Sequence, residues 1–243
     1  MANTLFLRLE APMQSWGERG RWSVRDTSPE PTKSGVIGLL SCALGWRDDE
    51  RIRNLSLALS IGVRHDRLGD VTQLVDYHTV GGGYLTPQLL TAEGKPKANN
   101  KRPHNEQTWR TYLCDTSFLV ALQTRNDDPT LIATLSTAVQ QPVWPIYLGR
   151  KSCVPTLPVF AGTGTYESLQ SALESVVFTT NRATEQDMVT LRAVMECDPR
   201  QPGSVMRRDH LVSRRYWRHE PRYSMEVLLH VRVATTASEV EAS

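Results

Sequence analysis

LFLRLEAPMQSWG at residues 5–17 and PTKSGVIGLL at residues 31–40 decide the fold. The first reads as a strand over residues 4–10 that runs into a polar and aromatic turn. The second opens a helix over residues 33–45. Val36, Ile37, Leu40 and Leu44 recur at helical spacing, and Leu39 and Ala43 widen the apolar face. Thr32 can cap the start and Gly45 suits the end. Leu55, Leu57, Leu59, Ile61 and Val63 then alternate at period two, which predicts a half-buried strand. Phe118, Val120 and Leu122 alternate in the same way much later. Asp128-Pro129 starts a second helix with Leu131, Ile132, Leu135 and Val139 on one face, and Pro142 stops it. Residues 143–148 supply one more strand. The order is β-α-β, a long insertion, then β-α-β. That order predicts an α+β chain with a split βαβ, or ferredoxin-like (βαββαβ), core.

The insertion begins with strand-like residues 71–80, passes Gly81-Gly82-Gly83, and returns toward the core through residues 108–113. Its tip carries Lys95, Lys97, Lys101 and Arg102 against Glu93 alone. It reads as a hairpin arm with a basic tip, too long for an ordinary connection. The expected organisation is a core of residues 1–78 plus 109–160, an inserted hairpin over 79–108, a β-containing C-terminal extension over 161–233, and a disordered tail over 234–243. Within the extension, residues 167–173 suggest a short helix. Met225, Val227, Leu229, Val231 and Val233 alternate as a strand.

The chain has 243 residues, 40% hydrophobic and 22% charged, which is enough for a substantial core without disulfides. Its formal net charge is only +2, so basic character must be local. Cys42, Cys114, Cys153 and Cys197 are spread out with no CxxC, as expected of reduced thiols in a cytoplasmic protein. No signal peptide and no membrane span is expected.

Local basic character has several candidate seats. Arg19, Arg21 and Arg25, with Trp22 among them, lie between the first strand and the first helix. A helix start offers unpaired N–H groups, arginines follow a phosphate backbone, and bases stack on aromatics. Together these point to a nucleic-acid surface. Lys33-Ser34 lacks the preceding glycines of a phosphate loop, so an ATPase is not expected. Two readings of that helix start remain: a phosphate site, or a capped core helix whose Gly35 and Gly38 permit close packing. Met13-Gln14-Ser15-Trp16 can present a ring to a base or anchor the loop to the core. Tyr147-Leu148-Gly149-Arg150-Lys151-Ser152 can let backbone approach a ligand, with phosphate donors beside it, or form a solvated turn. Arg207-Arg208-Asp209-His210 and residues 214–219 mix cations with aromatics, which fits RNA or a protein interface. The six histidines form no metal-ligand spacing, so no metal or other cofactor is expected. Histidines brought together from distant positions could still cleave RNA by acid–base chemistry.

LRLEAPMQSWG, PTKSGVIGLLSCALG, VDYHTV, NEQTWRTYLCDTSFLVAL, PIYLGRKSCVPTLPVF and the late Arg-Arg-Asp-His run resemble the CasD-type branch of the Cas-five family, within the RAMP superfamily. The resemblance covers nearly the whole chain. It implies an RRM-related core with a β-hairpin thumb. It also implies a non-catalytic subunit of a type I-E CRISPR Cascade complex that caps the 5′ handle of the CRISPR RNA. Its implied neighbours are CasC-type backbone subunits and the CasA-type large subunit, with target DNA nearby. Carried over by motif, Met13, Gln14, Ser15 and Trp16 lie along the handle, and Lys33 and Ser34 sit at its phosphates. His78, Thr79 and the arm with Arg102 form the thumb, with Arg110 at its base. Tyr147, Gly149, Arg150, Lys151 and Ser152 line the groove, and Arg207 and Arg208 add late cations. Type I-C relatives that cleave CRISPR RNA are the alternative, as a metal-independent endoribonuclease.

Overall fold

A computed structural model describes residues 1–18, 23–67, 72–81, 90–91, 93–95, 105–180, 187–213 and 218–235. Its strands are β1 (Ala2–Gln14), β2 (Val24–Arg25), β3 (Leu59–His65), β4 (Thr72–Gly81), β5 (Asn105–Thr124), β6 (Phe160–Tyr166), β7 (Phe178–Thr180), β8 (Met188–Glu196), β9 (Val205–Ser213) and β10 (Arg218–Thr235). The helices are α1 (Lys33–Ala43), α2 (Asp49–Ala58), α3 (Pro129–Gln140) and α4 (Leu169–Ser175). The chain is thus mixed α+β and rich in strands.

One sheet runs in the order β6-β1-β5-β3-β8-β10-β7, with β2 and β4 added to β5 and β9 added to β10. The middle of that sheet is buried on both faces, because alternate side chains feed two cores. Leu5, Leu7 and Leu9 of β1, with Phe118, Val120 and Leu122 of β5, join Val36, Ile37 and Leu40 of α1 and Ile132 and Leu135 of α3. Phe6, Leu119 and Ala121 point the other way, onto Ala172 and Leu173 of α4 and onto β8 and β10.

The 20 residues of β5 form the longest strand described. Residues 113–123 pair with β1, residues 118–124 pair with β3, and residues 105–114 pair with β4 as an antiparallel ribbon. The ribbon therefore continues a core strand outward. At the junction, Asp115 has φ +47°, uncommon for a residue other than glycine, while the pairing with β1 keeps one register from Thr116 to Cys114.

Several expectations change. Leu55 and Leu57 belong to α2, not to a strand. The Asp48 side chain accepts from Arg51 N–H, Asp49 and Glu50 follow in the first turn, and Ile52 and Leu55 are buried one turn apart. Capping and packing override the period-two pattern, so the strand starts at Leu59. Residues 143–148 form no strand. Pro142 and Pro145 remove ladder donors there, and the strand beside β1 is β6 instead. The extension holds α4, capped by Ser168, and strands β8 and β9, which the sequence reading did not anticipate. The expected tail, apart from residues 234–235, lies outside the described residues, as do the Arg214–Trp217 run and Arg102 at the arm tip.

Candidate nucleic-acid interface

Two turns meet where β1 leaves the sheet. Ser15 N–H donates to Leu148 O at 3.1 Å, and Ser15 Oγ donates to Thr111 O at 3.4 Å. Gly149 has φ +102°, and a Cβ built on it would lie 1.8 Å from Ser15 O. Only glycine lets the two backbones approach this closely. Leu148 is buried, and Cys153 N–H donates to Arg150 O at 2.9 Å, which closes the second turn.

Arg150 points back across this junction. Its Nη1 donates to Thr111 O at 3.0 Å and its Nη2 donates to Arg25 O at 2.9 Å. Its Cζ lies 4.5 Å from the centre of the Tyr112 ring. β2 pairs in parallel with β5, Val24 beside Trp109 and Arg25 beside Arg110. On the far side of Arg110, the ribbon places Asp76 in register. Arg110 Nε donates to Thr108 Oγ1 at 3.0 Å, and His78 Nδ1 lies 3.4 Å from Asp76 Oδ2. Thr79 continues β4 opposite Gln107. Lys151, Ser152 and Arg25 are exposed, and Tyr147 is half-buried. Tyr77 and Trp109, with ring centres 5.4 Å apart, are exposed on the ribbon. Ser15, Gly149, Arg150, Lys151, Ser152 and Arg110 therefore gather at one end of the sheet, with Arg25 added.

Other expected contacts turn inward. Gln14 is fully buried: its Nε2 donates to Leu9 O and Thr116 O, and its Oε1 accepts from Trp16 Nε1 at 3.1 Å. Trp16 is 1% exposed and lies against Gly35, where an added Cβ would be 2.8 Å from the indole ring. Met13 packs against the same core. These residues set the shape of the turn, and Gly35 admits the indole.

Lys33 is 0% exposed, and its Nζ donates to Leu59 O at 2.8 Å and lies 3.0 Å from Glu196 Oε2. Burial pushes its pKa down, opposed by Glu196. The Lys33 backbone N–H, one of the free donors of the helix start, is taken by Asp209 Oδ2 at 2.8 Å. Asp209 also accepts a two-pronged contact from Arg222 at 2.7 and 2.8 Å. The helix start expected to meet phosphate thus receives a carboxylate of its own chain, and Ser34 follows half-buried behind it. Glu196 additionally pairs with Arg125.

Arg207 turns to Glu30 at 2.6 Å and to Glu18 at 3.7 Å, while the Arg208 side chain stays exposed. Burial pushes the Glu30 carboxyl up. A hydrogen bond from His65 and the charges of Arg207 and Arg192 outweigh it, so it lies below the usual carboxylate range. Among the described residues, His65 lies beside Arg192, His78 on the ribbon and His230 beside Thr190, while His210 of β9 pairs in register with Glu220 of β10, next to His219. No group of three or more His, Cys, Asp and Glu side chains among them could hold a metal ion. No helix among them is long and apolar enough to cross a membrane.

The sequence reading placed Arg25 in a basic loop without assigning it a site. It becomes part of the surface because β2 pins it beside Arg110, a pairing that two residues of sequence cannot announce. Tyr112 was likewise hidden in an ordinary strand pattern.

The family model for CRISPR-associated protein (Cas_Cas5) matches residues 4–226. The CRISPR system Cascade subunit CasD of Escherichia coli (strain K12) is 39% identical over 181 residues, which are 71% of this chain and 76% of that protein. Among solved structures, a chain of a CRISPR RNA-guided surveillance complex superposes with a TM-score of 0.75 at 30% identity, covering 97% of this chain and 95% of that one. A crystal structure of a Cas protein gives 0.65 at 32%, covering 93% and 94%.

Proposed function

The chain belongs to the CRISPR-associated Cas5 family, and we propose that it is the CasD-type RNA-binding subunit of a CRISPR RNA-guided surveillance complex. In this reading it caps the CRISPR RNA at the 5′ handle and helps assemble the complex for antiviral DNA targeting. One observation carries the placement of the RNA: the Gly149 backbone lies on Ser15 beside Arg25, Arg110 and Lys151. The glycine seats the two turns on each other, and the exposed cations beside them can follow the phosphates of a strand of RNA. Ser15, Tyr147, Gly149, Lys151, Ser152, Arg25 and Arg110 form the groove. Met13, Gln14 and Trp16 shape its wall from inside.

β1, β3, β5 and β6, with α1 and α3, are read as the ferredoxin-like core, because the order β6-β1-β5-β3 is that of a split βαβ. The ribbon of β4 and β5 is read as the stem of the thumb. His78 and Thr79 lie on that stem. β7 to β10 make the extension. Backbone subunits of the CasC type and a large CasA-type subunit are the expected neighbours, in the cytoplasm. The role in this reading is binding rather than cleavage, since Lys33 beside the β9 histidine is held by Glu196 and Leu59 O.

Co-expression with the CRISPR RNA and the other subunits of its own locus tests this. The chain should co-purify with the assembled complex and protect the 5′ handle from nuclease. An assembly that forms equally well without this chain would overturn the reading. So would repeat RNA cut by the purified chain in a way that one His→Ala change abolishes.

A further inference from the structure

The sequence offers Arg150 as a phosphate ligand, but its side chain is engaged inside the protein. The guanidinium spans two backbone carbonyls, Thr111 O at 3.0 Å and Arg25 O at 2.9 Å. It also covers the buried Tyr112 ring, 4.5 Å from the ring centre. Those two carbonyls belong to β5 and to β2. β2 has only two residues, and beside it Trp109 N–H donates to Ser23 O at 2.7 Å. So short a strand holds its place poorly alone. A planar fork that bonds two carbonyls and lies on a ring is a task for arginine and not for lysine.

We infer that Arg150 is a positioning residue, whose guanidinium braces β2 against β5 and so holds Arg25 beside Arg110 for successive phosphates of single-stranded RNA. The inference rests on the RNA surface proposed above. Arg150 then acts through Arg25, and its own charge adds no separate phosphate contact.

The test uses the full chain and a fluorescein-labelled single-stranded RNA of its own repeat, titrated over a range of salt. Each phosphate contact contributes about 0.7 to the slope of log K against log salt. Arg25→Ala should lower the slope by about that amount. Arg150→Lys keeps a cation but cannot span both carbonyls, and it should lower the slope equally. The double variant should fall no further than either single one. A wild-type slope in Arg150→Lys, or losses that add in the double variant, would make Arg150 a phosphate ligand and overturn the brace.

Amide hydrogen exchange supplies a readout independent of RNA. In Arg150→Lys the Trp109 N–H should exchange faster, while amides of the β1–β5 ladder keep wild-type protection. Unchanged Trp109 protection would equally overturn the brace. Should the wild-type chain bind no RNA, the proposed function fails, and the exchange result still decides whether Arg150 ties β2 to β5.

Discussion

The start of α1 and the base of the ribbon are both rich in cations, and they use them in opposite ways. At α1, Lys33, Arg207 and Arg222 are matched by Glu196, Glu30 and Asp209, all of them half-buried or fully buried and mostly sealed from water. At the ribbon base, Arg25 and Lys151 reach solvent, and Arg110 meets a threonine hydroxyl. A buried cation needs a partner or its desolvation is uncompensated. An open cation gains little from a partner in water and remains available to phosphate. Residue type alone does not separate the two regions; the acids that arrive from distant strands do.

The sharpest way to break this contrast is Glu196→Ala. It leaves Lys33 buried without its carboxylate and should cost about 3–5 kcal/mol by denaturant unfolding. The salt slope of RNA binding in the folded fraction should not move. A variant that keeps its stability but loses slope would place Lys33 in the open class. Gly149→Ala comes next. Its positive φ implies strain of about 1–3 kcal/mol, with the overlap on Ser15 O added. The thermal midpoint should drop and RNA binding should weaken together, because this turn belongs to both fold and surface.

Glu30 gives a smaller effect that depends on pH. Its carboxyl lies below the ordinary 4.5 in the folded chain, so it stabilises the fold fully above that value. That share is lost as pH falls through its folded value. Stability of wild type and Glu30→Gln should therefore differ most near neutrality and converge in acid. A gap that widens on acidification would contradict the pairing. Arg110→Ala should have the smallest effect on stability, within about 0.5 kcal/mol. It should nonetheless lower the salt slope by about 0.7.

Much of this was legible in the chain. The apolar period of 36–44 and the cap at Thr32 located α1, and Asp128-Pro129 located α3. The strand-like residues 71–80 and 108–113 announced the ribbon of β4 and β5. Gly149 stood out as a glycine directly before Arg150, Lys151 and Ser152, a place where backbone can approach closely. The misreadings share one cause. Leu55 and Leu57 fit two periods at once, and Ile52, a turn earlier, decides for the helix only by packing. Lys33 looked like a phosphate ligand because Glu196 and Asp209, which claim its two ends, come from β8 and β9 far along the chain. Arg150 looked equally free because its acceptors are backbone carbonyls, which leave no trace in a sequence.

Asp115 gives the ribbon a mechanical character. A single chain segment, β5, is shared between the interior and the projecting arm, with one left-handed residue between the two halves. A load applied to the ribbon is therefore carried by one continuous cantilever anchored between β1 and β3, with the left-handed Asp115 at its root. Glycine there would accept the same φ without steric cost but would also admit other conformations, and the root of the cantilever would become slack.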